Sequence, residues 1–439
     1  MKNNFVLIIA IVSVIILGVG CSKDKDEDST LNEDETTSQD SLLNEDEISS
    51  EDSVLYENGI SVENLSSNVK WLSGDWGVRL YVRGGEDLDT YVDDKNYDYV
   101  AGAEEIIENY PSIGHVITNF TNNAHSSFFT LRTNENVDSV MGASGSVISE
   151  EFVPSLKNEQ IIIDVINVFK DAGKKVILYL NCQSIGSRAS DEANAAWDAY
   201  VEEYFDGEEQ KARINLLEGY VKRFAEIGVD GYYLDACSGS DENAELIQMI
   251  RNLNPNIAIA AGTGINYFED ENGNKIKVDT DGFDDEDTTD YPIVKYESND
   301  SFSDFTTGHI TPLGKGAPPN SWAYEEFTIP DIQNCPVSLS PDSSKLVLKH
   351  MFVPIRSSWS SERSTLMFDK EQAYRFVKNI TDGGGSITFS TTTNTDGTTM
   401  EDEEEVLIYV NQMMEENYTD FTPYSRPPGA YLVGEDRDN

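Results

Sequence analysis

The chain has 439 residues, 38% of them hydrophobic, and a formal net charge of −49 at pH 7. That length holds one large catalytic domain with extensions, since α/β barrels run to about 250 residues or more as single domains. So acidic a surface excludes nucleic acid as a partner, because phosphate binding needs clustered Lys and Arg; it suits a salty medium, where screening shortens charge repulsion.

At the N-terminus Lys2 precedes an apolar run from Phe5 to Leu17, and Gly18-Val19-Gly20 leads into Cys21. A basic start, a short apolar run and small residues before a processing point describe a secretory signal. The run is short for a spanning helix. Its end resembles a lipobox, with Gly18 where Leu is usual, and Asp24-Lys25-Asp26-Glu27-Asp28 resembles the export signal of surface lipoproteins. The resemblance implies a lipid on Cys21 and an outer-membrane lipoprotein, facing the cell surface or the periplasm. Up to Asn64 the chain is rich in Asp, Glu, Ser and Thr, and Leu31-Asn32-Glu33-Asp34-Glu35 recurs as Leu43-Asn44-Glu45-Asp46-Glu47. Such a tract buries too little apolar surface to offset its ordering entropy. The expected organisation is a signal over 1–20, a tether over 21–64, a catalytic domain over 65–420 and a tail over 421–439. No protein partner is inferred.

From Val69 onward strand-like and helix-like segments alternate. Strands are predicted at Trp76 to Val82, His115 to Phe120, Val176 to Leu180, Val229 to Leu234, Ile257 to Ala261, Ile293 to Tyr296, Met351 to Ile355 and Ser386 to Ser390. Helical spacing covers Val100 to Tyr110, Glu159 to Ala172, Asp191 to Ile227 with a break near Gly207, Asn243 to Leu253, Lys370 to Asn379 and Glu401 to Glu416. This alternation predicts a (β/α)₈ TIM-like barrel, with long loops after strands 2 (Asn122 to Pro154) and 6 (Asp300 to Leu346). The competing fold, a doubly wound open sheet, would want a GxGxxG turn after its first strand, and Arg83-Gly84-Gly85 does not supply one.

The fourth strand carries the main chemical signal. Gly228 ends a helical run, and Val229-Asp230-Gly231-Tyr232-Tyr233-Leu234 delivers Asp235 at its tip. Buried parallel strands read as apolar runs, and catalytic groups of barrels sit at the C-terminal strand ends. Asp235 is therefore the first catalytic candidate, and glycoside hydrolysis the first chemistry. The structural alternative is a cap on the next helix, a role that Ser238, Ser240 and Asp241 also offer.

Other strand ends and long loops supply the remaining candidates. Asn119, Asn181, His125 and Tyr233 are placed to bind sugar hydroxyls, and Trp76, Trp322 and Tyr324 to stack on a pyranose, although aromatics at such places are core residues at least as often. Arg79, Lys315 and Arg356 are candidate sulfate or carboxylate contacts, with ordinary salt bridges as their alternative. Glu297 is a candidate acid, His115 reads as structural, and His350 stays open between the two. Cys182, Cys237 and Cys335 read as small buried thiols, with a bridge between Cys182 and Cys237 as the alternative. No cofactor is expected. The acidic loop from Asp279 to Asp287 reads first as a solvated surface and second as a Ca²⁺ loop, since the EF-hand spacing is absent.

Three motifs then occur in order: Ser321-Trp322-Ala323-Tyr324, Gly383-Gly384-Gly385-Ser386-Ile387-Thr388-Phe389, and Asp396-Gly397 before the last helix. With the strand-four aspartate, this order resembles glycoside hydrolase family 29, the α-L-fucosidases. There a Ser-Trp-Gly-Tyr motif is followed by a Gly-Gly-Asn-Leu-Leu-Leu-Asn strand, an Asp-Gly turn and a terminal helix. Where that family has an acidic Glu, this chain has Gly308-His309-Ile310-Thr311-Pro312, which is similar to family 107, the endo-acting fucanases. The resemblance spans Trp71 to Tyr418. It implies retaining, endo-acting cleavage of α-L-fucosidic bonds in a sulfated polysaccharide, with Asp235 as nucleophile and His309 as acid/base. Imidazole suits the second role because it titrates near neutrality, and a retaining pair would lie about 5 Å apart. An exo-acting fucosidase and a non-catalytic glycan-binding lipoprotein are the alternatives.

Overall fold

The computed structural model describes residues 60–81, 98–121, 156–182, 191–235, 237, 241–261, 266–278, 291–308, 324–356, 366–394 and 396–419. Its centre is a curled, all-parallel sheet of seven strands: β1 (Trp76–Tyr81), β2 (His115–Thr121), β3 (Lys175–Asn181), β4 (Gly231–Asp235), β5 (Ala258–Ala260), β6 (His350–Pro354) and β7 (Ser386–Ser390). They lie side by side in the order β6-β7-β1-β2-β3-β4-β5. The helices α1 (Tyr99–Asn109), α2 (Leu156–Asp171), α3 (Asp191–Phe205), α4 (Glu209–Ile227), α5 (Asp241–Leu253), α6 (Ile329–Asn334), α7 (Lys370–Asp382) and α8 (Glu401–Glu415) accompany it.

Strand parity sorts the core into two layers. Val78, Leu80, Val116, Val176, Leu178, Tyr232, Leu234, Ile259, Met351 and Val353 pack with the helices. Ile117, Ile177, Tyr233, Ala258, Ala260 and Phe352 line the concave side. Leu65, Val69 and Leu72 cover that interior layer, and Asn68 Nδ2 donates to the Pro255 carbonyl just before β5 (3.2 Å). The N-terminal ends of the strands are thus plugged and the C-terminal ends carry the loops. Gly228 makes the turn into β4: it ends α4 in the left-handed region (φ 89°) and its N–H returns to the Phe224 carbonyl, a conformation that glycine adopts without a Cβ penalty.

The barrel differs from expectation at its sixth position. Val294–Lys295 pairs antiparallel with Asn266–Tyr267 in a small ribbon outside the main sheet. Ile293 packs there on Phe268, Ile276 and Phe327, while Val294 and Tyr296 join the main core. Hydrophobicity reports that a segment is buried, and it does not say against which sheet. Between β5 and β6 runs an irregular extended segment instead. Asp304 N–H donates to the Ile259 carbonyl on one side, while Leu348 and Phe352 donate to Asp304 and Gly308 on the other. The sheet is therefore barrel-like and curled, with seven regular strands and this segment across the gap.

Candidate active site

Gly231, Tyr233 and Asp235 alternate on the concave face of β4, so the carboxylate stands at the C-terminal mouth of the sheet, partly exposed. Its backbone is pinned, since Cys182 N–H donates to the Asp235 carbonyl at 2.9 Å. Tyr179 Oη donates to Asp235 Oδ2 from the neighbouring strand. Below the carboxylate lies an aromatic floor. The rings of Tyr179 and Tyr233 stack with centroids 5.6 Å apart, and Tyr233 meets Phe352 edge-on at 5.3 Å. The Arg79 guanidinium lies 5.2 Å from the Tyr179 ring centre and 5.8 Å from that of Phe352, within cation–π range, and Nη1 donates to Ser390 Oγ at 3.4 Å. Burial pushes the phenols of Tyr179 and Tyr233 well up, and the nearby Asp235 charge pushes the same way. Both therefore stay protonated. A carboxylate and a buried cation above two protonated phenols at one strand mouth can hold an anionic, hydroxyl-rich ligand and attack an electrophilic carbon.

Cys182 and Cys237 flank this centre as free, buried thiols. Their mutual hydrogen bond, with burial, pushes the Cys182 thiol well up, and a thiol so held is unreactive.

Several candidates lie elsewhere. Trp76 begins β1 at the plugged end, packs with the helices, and donates to Ser112 Oγ at 3.2 Å; it is a core residue and not a platform for sugar. Tyr324 is fully buried in the helix-side core, so it too packs. Arg356 donates to Glu403 and Asp402, tying the end of β6 to the start of α8, and so serves the fold. Glu297 lies beyond the small ribbon, 2.5 Å from Lys295 Nζ and within reach of Asn266 Nδ2 at 3.2 Å. Burial pushes its carboxyl up, but those partners outweigh burial and hold it below the usual range. A carboxyl held ionised is a poor proton donor.

The strand register sets Asn119 beside Tyr81 and Asn181 beside Asp235. His115 and His350 belong to a buried polar chain at the plugged end. His309, His125, Trp322, Lys315, Cys21 and the acidic loop from Asp279 to Asp287 lie outside the described residues. Among the described residues no group of three acidic, His or Cys side chains is placed to hold a metal, and no helix is long and apolar enough to cross a membrane. Tyr179 was not anticipated. Its signal was parity: it shares the concave face of β3 with Ile177 and stands opposite Tyr233 in the register.

A family model described as endo-alpha(1,4)-fucoidanase Mef1 matches residues 66–436, which takes in most of the expected tail. The solved structure of endo-fucoidan hydrolase P5AFcnA from glycoside hydrolase family 107 is 46% identical. It covers 84% of this chain and 98% of that one, with a TM-score of 0.71. Endo-fucoidan hydrolase MfFcnA4 of the same family shares the fold at 15% identity, covering 80% of this chain and 54% of that one, with a TM-score of 0.57. Alpha-L-fucosidase isoenzyme 1 from Paenibacillus thiaminolyticus aligns at 15% identity, 80% and 76% coverage and a TM-score of 0.47. No curated protein matches.

Proposed function

The chain belongs to glycoside hydrolase family 107, and from that premise we propose that it is an endo-acting, retaining hydrolase of α-L-fucosidic bonds in sulfated, fucose-containing polysaccharide. The observation that carries this reading is Asp235 at the mouth of the curled sheet, its carboxylate held by Tyr179 above an aromatic floor. Asp235 attacks C1 of the fucose unit as the bond from C1 to the glycosidic oxygen breaks, and His309 gives that oxygen its proton. Water then attacks C1, its proton passes to His309, and Asp235 leaves as the carboxylate. Support for His309 comes from its place directly after Gly308, whose carbonyl accepts from Phe352 N–H of β6, and from the family pattern. Arg79 offers the positive charge that a sulfate group would seek.

Asp235→Asn keeps the shape and removes the charge. Depolymerisation of fucoidan, followed by gel, should fall by at least about 10³-fold with the thermal midpoint retained; substantial residual turnover would sink the assignment. His309→Ala should lose most activity on polysaccharide and less on an aryl glycoside whose leaving group needs no protonation. The lipid on Cys21 is part of the same proposal. Cys21→Ser should release an active protein from the membrane fraction.

A further inference from the structure

We propose that Tyr179 is a positioning residue that holds and aims the carboxylate of Asp235, an inference that rests on Asp235 being the nucleophile. The Tyr179 hydroxyl donates to Oδ2 from the neighbouring strand and so fixes the plane of the carboxylate. The phenol is fixed in this role from several sides. Its ring stacks on Tyr233 and lies under the Arg79 guanidinium, whose own strand is tied down where Thr391 Oγ1 donates to the Arg79 carbonyl. The titratable groups that act on Tyr179 include Asp235, Arg79 from β1 and Tyr233 from β4. No proton leaves Tyr179 in the cycle. As the bond from the carboxylate to C1 forms, the carboxylate charge fades and the hydrogen bond from Tyr179 weakens; as water displaces the carboxylate, it strengthens again. The hydroxyl therefore favours departure of Asp235 from the glycosyl-enzyme as well as its aim before attack, since a hydrogen bond to an ionised acceptor is the stronger kind.

The test is Tyr179→Phe, which removes one oxygen and leaves the ring in the stack. We expect kcat on fucoidan to fall on the order of 10- to 100-fold, the range of a lost charge-assisted hydrogen bond, with KM within about threefold. A second measurement isolates the route of action. In an Asp235→Gly background rescued by azide on an aryl glycoside, adding Tyr179→Phe should cost nothing, because the group it acts on is gone. Wild-type kcat would overturn the proposal, as would an equal loss in the azide-rescued background. Should Asp235→Asn itself remain active, the nucleophile assignment fails instead, and the two failures are thereby distinguished.

Discussion

Thr388 has one hydroxyl proton, and two histidines face it. Its Oγ1 lies 2.7 Å from His115 Nε2 and 2.8 Å from His350 Nε2. His350 Nδ1 faces the Thr306 carbonyl at 3.1 Å, and a carbonyl only accepts. So His350 donates from Nδ1 and takes the Thr388 proton on Nε2. His115 must then donate from Nε2 to Thr388, while its Nδ1 faces Asp75 Oδ2 at 3.0 Å. The chain Asp75–His115–Thr388–His350–Thr306 runs one way, and one proton is shared between Asp75 and His115. Thr388→Val keeps the volume and breaks both inner links, leaving two ring nitrogens unsatisfied. A loss of about 2–5 kcal/mol is expected in urea unfolding; a change under about 0.5 kcal/mol would refute the chain. Burial, followed by repulsion from His115, lowers His350 to about 3 from 6.5. Its folded value is depressed, so the unfolded chain takes up the proton first as pH falls. That contribution is fully present above about 6.5 and is lost progressively toward about 3. At sequence level only the scarcity of histidines and the place of His115 at a strand start were visible. Their meeting at Thr388 depends on β6 lying beside β7 and on His115 of β2 reaching past Gly77 of β1, which no local pattern encodes.

At the scale of elements, the strands with β-branched runs and the helices with clear periodicity were legible, and so was the charged tip of β4. The segment that crosses from β5 to β6 was not. Ser303-Asp304-Phe305-Thr306-Thr307-Gly308 has little alternation, because its polar side chains replace ladder bonds. Ser303 Oγ accepts from Ala261 N–H at 2.9 Å, Asp304 Oδ2 accepts from Ile259 N–H at 2.9 Å, and Thr306 Oγ1 donates to the His350 carbonyl at 2.8 Å. Gly308 completes the path. Its φ is 73°, and a Cβ there would stand 1.9 Å from the His350 carbonyl oxygen. Gly308→Ala therefore combines a left-handed residue with a backbone clash, and costs roughly 2–4 kcal/mol. Because His309 is the next residue, kcat should fall more than KM rises, and both unfolding and steady-state measurements check it. Normal stability with normal kcat would mean that the segment is not held as described.

For the whole molecule, the acidic surface and the domain boundary set conditions that composition alone blurred. Residues 1–59 carry 14 Asp and Glu against 3 Lys, so most of the charge lies beyond them. Part of it is crowded between α1 and α8, where burial, then a hydrogen bond with Glu404, raises Glu105 to about 7. That contribution is full below about 4.5 and is lost as pH rises through about 7, opposite in sign to His350. Glu105 is partly exposed, so Glu105→Gln should raise the thermal midpoint at about pH 8 only modestly, and less with added salt. The boundary itself is sharper. Composition places the end of the tether at Asn64, yet among the described residues Ile60 and Val62 already lie against Leu65, Val69 and Leu72, and Ser61 caps the turn that follows by accepting from Glu63 N–H. Removing 21–59 should leave both the thermal midpoint and the rate on fucoidan unchanged. Removing 21–64 also deletes a cap and two packed side chains, which together contribute about 1–3 kcal/mol. The midpoint should then drop by a few degrees, as expected for a domain of this size. Equal midpoints for the two truncations would show that residues 60–64 add nothing to the plug. A large drop already at 59 would place a stabilising contact inside the acidic stretch.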